Sequence, residues 1–494
     1  MSVATSPAGG GAHPTATSPG EADVRVVGVL ARVPGVAWIV AIALVARLLY
    51  GSGYVWYDAL YHLVWGQDLA HGHLPPDLKA IHSPTPHPLP LLVSMLASLL
   101  GSHAYAVMEA ISLLSLGGLC WAAFRLGQWL VSPAVGVLFA LILFTRPFLI
   151  SQTLLASIET PYLALIVWAA ALEVRTPRRG TPVLIALGLA GLIRPEAWVL
   201  SGLYWLYLAW PLDWAARLKL LAAVVIAPLL WMAFDLAATG DALHSLHETK
   251  SAVDQPGTPR SLGSGLLAGP SYLRNILQLP FVLAGLVGIV VALRRDARRA
   301  SAPLVIGLSG AATFLIFGLD GLPLLPRYAF QPAVVLALFA AVALLGWREL
   351  APGGRERRAW MAAAGVSAAL VIAFFPLSSF RSVRNNARIV HAEQGQMVEL
   401  IGSAQFRAAY RACPILLDSS YFDSPAIAYL TQRHPRDISN VGFPDNARGL
   451  MFSFVRSPVP VAYGLPAVDP TVIHVPLGSQ QLFRDRSWAL YRRC

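Results

Sequence analysis

The chain has 494 residues, of which 56% are apolar and 13% are charged, and its mean hydropathy is +0.58. A soluble globular domain carries about twice this charged fraction, so the composition excludes a soluble protein and predicts a polytopic membrane protein. The net charge of +11 could suggest a nucleic-acid binder, but the basic residues form short clusters between apolar runs. That pattern sets membrane topology and predicts no nucleic-acid partner.

The first segment, residues 1–32, is rich in Gly, Ala, Ser, Pro and Thr, which predicts a disordered cytoplasmic N-terminus. It lacks a short apolar core followed by a cleavage site, so we predict no signal peptide. Apolar runs after it are predicted to cross the lipid bilayer, about eleven in all. They are 33–51, 105–124, 133–150, 158–173, 182–193, 197–210, 218–238, 276–293, 302–319, 327–346 and 359–377.

Segment 88–101 is also apolar, but its length suits an interfacial or re-entrant helix better than a span. Charge supports this interpretation. If 88–101 does not cross, the arginine clusters at 175–179, 294–299 and 348–358 all fall on the cytoplasmic side, as the positive-inside rule requires. We therefore expect an odd number of crossings of the plasma membrane, with the membrane bundle at 33–377 and residues 378–494 outside the cytoplasm.

The tail at 378–494 is less apolar and contains the strand-like runs PILLD (414–418), TVIHVPL (471–477) and SWALY (487–491). The predicted fold class is therefore an all-α polytopic bundle with a small extracytoplasmic α/β domain. Cys413 and Cys494 flank strand candidates in a space that would be oxidising. A disulfide and two free thiols both remain open, because a sequence does not report the Cα separation.

Ionisable side chains near spans are costly in lipid and usually face a cavity, a partner or a substrate. Asp58 follows the first predicted span in WYDALYH, with Tyr57, Tyr61, His62 and Trp65 at helical spacing around it. This pattern predicts an amphipathic helix on the outer interface. Asp58 either caps that helix or acts as a general base that takes a proton from an attacking hydroxyl.

Two further outer segments carry histidine. His82 and His87 lie in the proline-rich IHSPTPHPLPLL, where they could bind phosphate or metal, although plain loop histidines fit the spacing better. In TGDALHSLHETK, His244, His247 and Lys250 recur every three residues, so a helix would place them on one face. That face would suit a leaving phosphate or would simply be solvated.

Charged residues also mark three other positions on the predicted outer side. Glu159 begins a span in SIETPYLAL, and Arg194 and Glu196 flank a helix-breaking proline in GLIRPEAW. Pairing of Arg194 with Glu196 is the commoner fate of such residues. In GLPLLPRYAF, Arg327 and Tyr328 either anchor the interface or place the arginine fork of Arg327 on a lipid phosphate.

Together these segments resemble the GT-C superfamily, polytopic glycosyltransferases that use polyprenyl-phosphate-linked sugars. The resemblance covers roughly residues 33–350. It is carried by WYDALYH, the H-P-L helix at 87–90, SIETPYLAL (157–165), LIRPEAW, TGDALHSLHETK and LPRYAFQP (325–332). The chain also resembles bacterial mannosyl- and arabinofuranosyltransferases of the cell envelope, which often carry an extracytoplasmic C-terminal domain.

The resemblance implies an inverting hexosyl or pentosyl transfer from a polyprenyl-phosphate-sugar donor to a glycan, lipid or protein acceptor. Asp58 would be the catalytic base. Contacts to the donor's lipid phosphate are expected from Lys250, Arg327, His247 and Arg194, and contacts to substrate from Tyr57, His62, His87, Glu159 and Tyr328.

The sequence departs from the family pattern at two places. Many relatives carry a second acidic residue directly after the first, where this chain has Ala59, and the loop after 240 has His-Ser-Leu-His where relatives often show Pro-Asn-Thr. A requirement for a divalent metal cofactor is left open, because no clear ligand set is present.

Two other classes of function remain as alternatives. A polytopic transporter or lipid flippase usually shows inverted repeats and charges near the bilayer midplane, and the sequence shows neither. A non-catalytic envelope scaffold would be marked by an outer cavity too small for a lipid phosphate and a sugar.

Overall fold

The computed structural model describes residues 34–79, 83–251, 259–373, 377–419, 422–439, 443–455 and 475–494. The segment predicted as a disordered N-terminus lies outside these residues. The first ten helices of the described residues are α1 Gly35–Tyr50, α2 Tyr57–Ala70, α3 Pro88–Ser98, α4 Ala104–Leu130, α5 Pro133–Phe144, α6 Pro147–Leu154, α7 Glu159–Arg175, α8 Thr181–Gly191, α9 Glu196–Ala209 and α10 Trp214–Thr239.

The remaining helices complete the bundle and enter the C-terminal region. They are α11 His244–Ser251, α12 Leu262–Leu277, α13 Leu279–Leu319, α14 Phe330–Leu345, α15 Arg355–Ala373, α16 Leu377–Gly402, α17 Ala404–Ala412 and α18 Ser424–Thr431. Helix α13 contains two predicted spans and is kinked at Asp296, whose φ and ψ are not helical. The segment 88–101 contains only the eleven-residue helix α3.

The predicted span 133–150 is broken into α5 and α6, which meet at an angle of 65°. Pro147 begins α6 and has no N–H to continue the first helix. The buried guanidinium of Arg146 donates to the carbonyl of Ile142 at 3.1 Å and to that of Leu277 at 2.9 Å. The break is thus stabilised by an arginine that satisfies carbonyl groups of two helices.

Among the described residues, four helices are long and apolar enough to cross a membrane, or five if the bent pair forms one span. The chain is therefore a multi-pass membrane protein. The expected total of about eleven crossings, and their direction, remain predictions.

Helices α13 and α14 lie in close contact through glycine. A Cβ at Gly288 would lie 1.8 Å from the carbonyl oxygen of Phe339, and one at Gly285 would lie 2.6 Å from that of Leu336. Nearly every residue of α14 is buried, so this helix is the centre of the bundle and its start has a fixed position relative to its neighbours.

The C-terminal region combines α16–α18 with a five-stranded sheet of order β2-β1-β3-β5-β4. Strand β1 pairs in parallel with β2 and β3, whereas β5 pairs antiparallel with β3 and β4. The strands are β1 Leu416–Asp418, β2 Ile438–Ser439, β3 Gly449–Phe454, β4 Gln480–Arg484 and β5 Trp488–Arg493.

This arrangement agrees with the predicted small α/β domain. The runs PILLD and SWALY contain β1 and β5, while most of TVIHVPL lies outside the described residues. Cys413 and Cys494 form a disulfide with a Cα–Cα distance of 6.0 Å. The bond closes the last strand onto the segment before the first, so it ties the two ends of the sheet region together.

Glycine at position 288 is predicted to be essential for packing. Gly288→Ala should destabilise the protein by about 1–3 kcal/mol, because the added methyl group forces α13 and α14 apart. Thermal unfolding in detergent measures the effect. Gly202→Ala is the matched control, since a Cβ at Gly202 meets no atom within 4 Å. Equal unfolding temperatures for the two variants would contradict this packing.

The stability of the C-terminal region should depend on pH through Glu393. Burial, with Asp485 nearby, raises the pKa of Glu393 from 4.5 to about 8. The folded state therefore favours the protonated acid, and its contribution to stability is full below about pH 4.5 and is lost as the pH rises through 8.

Thermal unfolding between pH 5 and 8 checks this expectation. The unfolding temperature of the wild type should fall over that range more steeply than that of Glu393→Gln. Glu399→Gln changes an exposed acid of the same helix and should follow the wild type. Parallel curves for Glu393→Gln and the wild type would contradict the assignment.

Candidate functional site

Four helix starts converge on a cluster of charged side chains. Asp58 is the second residue of α2, and Glu159 and Glu196 are the first residues of α7 and α9. Arg327 lies in the 3₁₀ turn Pro326–Ala329 that leads into α14. Carboxylates in a first helical turn interact favourably with the helix dipole, so the local sequence already favours acids at these positions.

The inner half of the cluster is buried and ion-paired. Arg194 Nη1 lies 2.5 Å from Glu159 Oε2, and Arg194 Nη2 lies 2.6 Å from Glu196 Oε1. The side chains of Arg194 and Glu159 are only 9% and 2% exposed. The Arg194–Glu196 pair is the one considered in the sequence analysis, and Glu159 is a second partner of Arg194. Arg194 compensates these buried acids, which without it would be unpaired charges.

The outer half of the cluster is more open. Arg327 Nη1 lies 3.4 Å from Asp58 Oδ2, and Arg327 Nε lies 3.6 Å from Glu159 Oε1. The side chains of Arg327 and Asp58 are 35% and 38% exposed. Within the described residues Arg327 Nε is buried and has no hydrogen-bond acceptor, so its contact with Glu159 is an ion pair without a hydrogen bond.

An aromatic side chain lies beneath both arginines. The guanidinium carbon of Arg194 is 5.1 Å from the ring centroid of Tyr328, and that of Arg327 is 5.9 Å from the same ring. Arg194 also lies 5.7 Å from the ring of Tyr162. These cation–π contacts restrict the positions of both cations. Tyr328 therefore acts here as a support for the arginines.

The depression bordered by Glu159, Arg194, Arg327 and Tyr328 has a volume of about 10 Å³, which is room for about one water molecule. A sugar does not fit inside it, which is the sign named above for a non-catalytic scaffold. Any larger ligand must use the exposed side of Asp58 and Arg327, or must separate the pairs that close the depression.

His62 and His87 form hydrogen bonds that stabilise the first turn of α2. The Nδ1 atom of His62 lies 2.6 Å from the carbonyl oxygen of Asp58, and the backbone N–H of His87 donates to Nε2 of His62 at 3.3 Å. The latter bond requires an acceptor at Nε2, so Nδ1 carries the proton and donates to Asp58. Burial lowers the pKa of His62 to about 4, which keeps the ring neutral. Both ring nitrogens are thus engaged within the protein.

The C-terminal region also holds the segment that leads to Asp58. The backbone N–H of Val55 donates to Gln394 Oε1 at 3.1 Å, and Gln394 Nε2 donates to the Val55 carbonyl at 2.5 Å. The ring of Phe422 stacks on Trp56 at 5.7 Å and meets the edge of Tyr57 at 5.8 Å. Tyr57 therefore packs against the C-terminal region, next to the acid.

The loop after α10 contains the helix α11, but its histidines do not share one exposed face. His244 is buried with Nε2 at 3.1 Å from the Leu78 carbonyl, whereas His247 is exposed and lies 2.7 Å from Asp241. Lys250 belongs to α11, but its side chain, like the whole of His82, lies outside the described residues.

Within the described part of the chain, no group of three or more His, Cys, Asp or Glu side chains is placed to hold a metal ion. Sequence reasoning missed Gln394 and Phe422. They lie more than 330 residues from Val55 in sequence, and a glutamine and a phenylalanine in an amphipathic tail carry no signal for such a contact.

Comparisons with known proteins identify the fold of this chain. No family model and no curated protein sequence matches the chain. Among solved structures, ArnT from Cupriavidus metallidurans matches in its apo state with a TM-score of 0.55 and 13% identity, over 92% of this chain and 97% of ArnT. ArnT bound to undecaprenyl phosphate matches over the same shares with a TM-score of 0.52 and 14% identity.

The oligosaccharyltransferase AglB from Archaeoglobus fulgidus, in complex with an inhibitory peptide and a dolichol-phosphate, is also similar. Its TM-score is 0.48 at 13% identity, over 85% of this chain and 69% of AglB. The ArnT matches extend over nearly the whole of both chains. The predicted GT-C fold is therefore confirmed.

Glu159 should contribute measurably to the stability of the cluster, because it contacts both arginines. Glu159→Gln removes the closer carboxylate partner of Arg194, which still pairs with Glu196, so the expected cost is about 1–3 kcal/mol. Thermal unfolding in detergent measures this loss, with Asp320→Asn as an exposed acid-to-amide control.

The double variant Glu159→Gln/Arg194→Gln should be less stable than Glu159→Gln, because it leaves the buried carboxylate of Glu196 without its cation. If Glu159→Gln unfolds at the wild-type temperature, the cluster does not contribute to stability as described.

Proposed function

We propose that this chain is a glycosyltransferase that moves a sugar from a polyprenyl-phosphate carrier to an acceptor hydroxyl at the membrane surface. One observation carries the proposal: a half-exposed carboxylate, Asp58, lies 3.4 Å from a half-exposed guanidinium, Arg327, at the mouth of a buried ion cluster. The reaction needs a base for the acceptor and a fixed cation for the leaving phosphate, and these two side chains supply that pair.

Asp58 is proposed as the general base. Its carboxylate takes the proton of the acceptor hydroxyl while that oxygen forms a bond to the anomeric carbon from one face of the sugar. The bond between the anomeric carbon and the phosphate oxygen breaks on the opposite face, so the configuration inverts. The polyprenyl phosphate leaves with the bonding electron pair.

Arg327 is proposed to bind the phosphate of the donor. Its fork matches two phosphate oxygens, and Tyr328 with Glu159 keeps it in place. Arg327 Nη1 lies 3.4 Å from Asp58 Oδ2. A phosphate that takes over the guanidinium would release the carboxylate for catalysis, so donor binding prepares the base.

This exchange is also consistent with the small depression. The sugar does not enter the space beside Arg194; it lies on the exposed side, where Asp58 and Arg327 border the surface. Arg194 then acts through Glu159, which it holds in a fixed position next to Arg327.

The relation to ArnT supports the choice of donor. The similar ArnT structure was determined with undecaprenyl phosphate bound, a carrier of the chemical class proposed here. We propose a secondary role for Lys250 and His247 of α11, which add positive charge near the phosphate. We propose that His62 and His87 hold α2 in register with α3.

Two substitutions separate the proposed roles. Asp58→Asn should lower the rate of sugar transfer by roughly 10²–10⁴-fold and should leave the affinity for undecaprenyl phosphate within about twofold of wild type or improve it, because the competing carboxylate is neutral. Arg327→Gln should weaken that affinity by at least about tenfold, which corresponds to about 1.4 kcal/mol.

Binding is measured with undecaprenyl phosphate by native mass spectrometry, and transfer with a panel of undecaprenyl-phosphate-linked hexoses and pentoses. Asp320→Asn is the control for both assays. Mass spectrometry of envelope glycans from a deletion strain identifies the missing linkage. Undiminished transfer by a folded Asp58→Asn variant would remove Asp58 as the base.

A further inference from the structure

Helix α16 has two unlike faces in its first four turns. Phe380, Val383, Ala387 and Val390 pack into a core cluster with α1 and α6. The opposite side exposes a set of polar residues, of which three arginines recur at i, i+3 and i+7, a spacing that places them on one face. This basic face consists of Arg381, Arg384, Asn385 and Arg388.

The arginines of the basic face have no acidic partner among the described residues. Elsewhere on the surface such pairs are present, as for Arg299 with Asp296. Neighbouring like charges on a helix repel each other, and here they border an open depression of about 410 Å³. The helix therefore presents a concentration of positive charge that the protein itself does not neutralise.

The position of the basic face indicates which anion could neutralise it. Helix α15 exposes apolar residues such as Val366 and Ile372 up to its end at Ala373, and α16 begins four residues later with exposed Leu377. The ring of Phe380 stacks on Tyr50, the last residue of α1, at 5.6 Å. The arginines thus begin at the level where two apolar helices end, which in a bilayer is the level of the lipid headgroups.

We propose that Arg381, Arg384 and Arg388 bind the phosphate groups of anionic phospholipids at the membrane surface. Guanidinium forks match phosphate oxygens. Two turns further along the same helix, Gln394 binds Val55, so the lipid contact lies on the same side of the bundle as Asp58. Bound lipid would hold α16, and with it the C-terminal region, against the membrane. The proposal does not depend on the function proposed above.

The test uses the purified full-length chain in detergent, with dioleoyl phosphatidylglycerol and dioleoyl phosphatidylcholine as separate probes and native mass spectrometry as the readout. The wild type should retain more phosphatidylglycerol than phosphatidylcholine. The triple variant Arg381→Gln/Arg384→Gln/Arg388→Gln should bind phosphatidylglycerol on the order of 100-fold more weakly, since each basic residue at a charged membrane surface contributes roughly a factor of five. The corresponding triple substitution to Lys keeps the charge. Its loss of affinity for phosphatidylglycerol should be less than half of the loss seen with the Gln variant.

A matched control removes three other exposed arginines of the C-terminal region, Arg411, Arg484 and Arg486, and should bind like the wild type. Wild-type binding should also weaken in 0.5 M NaCl, because salt screens the contact. This measurement requires no variant and stands even if the triple Gln variant does not fold.

Four results would overturn the proposal. They are equal retention of the two lipids by the wild type, an equal loss of phosphatidylglycerol in the control variant, insensitivity of wild-type binding to salt, and displacement of the lipid by equimolar inorganic phosphate. The last result would mean that the face takes free phosphate instead of lipid.

Discussion

The structure depends on two arginines that share three carboxylates. Arg194 lies between Glu159 and Glu196, and Arg327 lies between Glu159 and Asp58. Glu159 contacts both arginines, so a change in charge at one end of the cluster alters the electrostatic interactions at the other end. Each member stands at or near the start of a helix, and the packing of those helices sets the distances. The buried end fixes the geometry, while the exposed end, Asp58 and Arg327, remains accessible to ligands.

The C-terminal region is part of this arrangement. Its buried residues form one continuous core cluster with α2, the helix that carries Asp58. Tyr429 of α18 donates to the carbonyl of Gly101 at 3.0 Å, and Gln394 of α16 binds both backbone groups of Val55. Helix α16 therefore connects the membrane end of α15, the sheet and the first turn of α2. The position of the proposed base is set by both halves of the chain.

Local chemistry allowed much of the fold to be predicted. Apolar runs predicted the helices, and the motif order predicted the GT-C fold. Contacts between distant segments could not be predicted. The bend at Arg146 depends on a carbonyl 131 residues away, and the Gln394–Val55 contact spans 339 residues. The Cys413–Cys494 bond stayed open because pairing requires a Cα distance, which the structure gives as 6.0 Å. Asp58 and Arg327 were singled out as separate motifs, and the structure places them in contact.

The central claim is that a lipid phosphate takes Arg327 away from Asp58. A cryo-electron microscopy structure of the full chain with undecaprenyl phosphate tests it most directly. The account predicts the phosphate within hydrogen-bond distance of the Arg327 guanidinium, about 3 Å, with Asp58 separated from that guanidinium and facing open space. A phosphate bound elsewhere, with Arg327 Nη1 still 3.4 Å from Asp58 Oδ2, would contradict it.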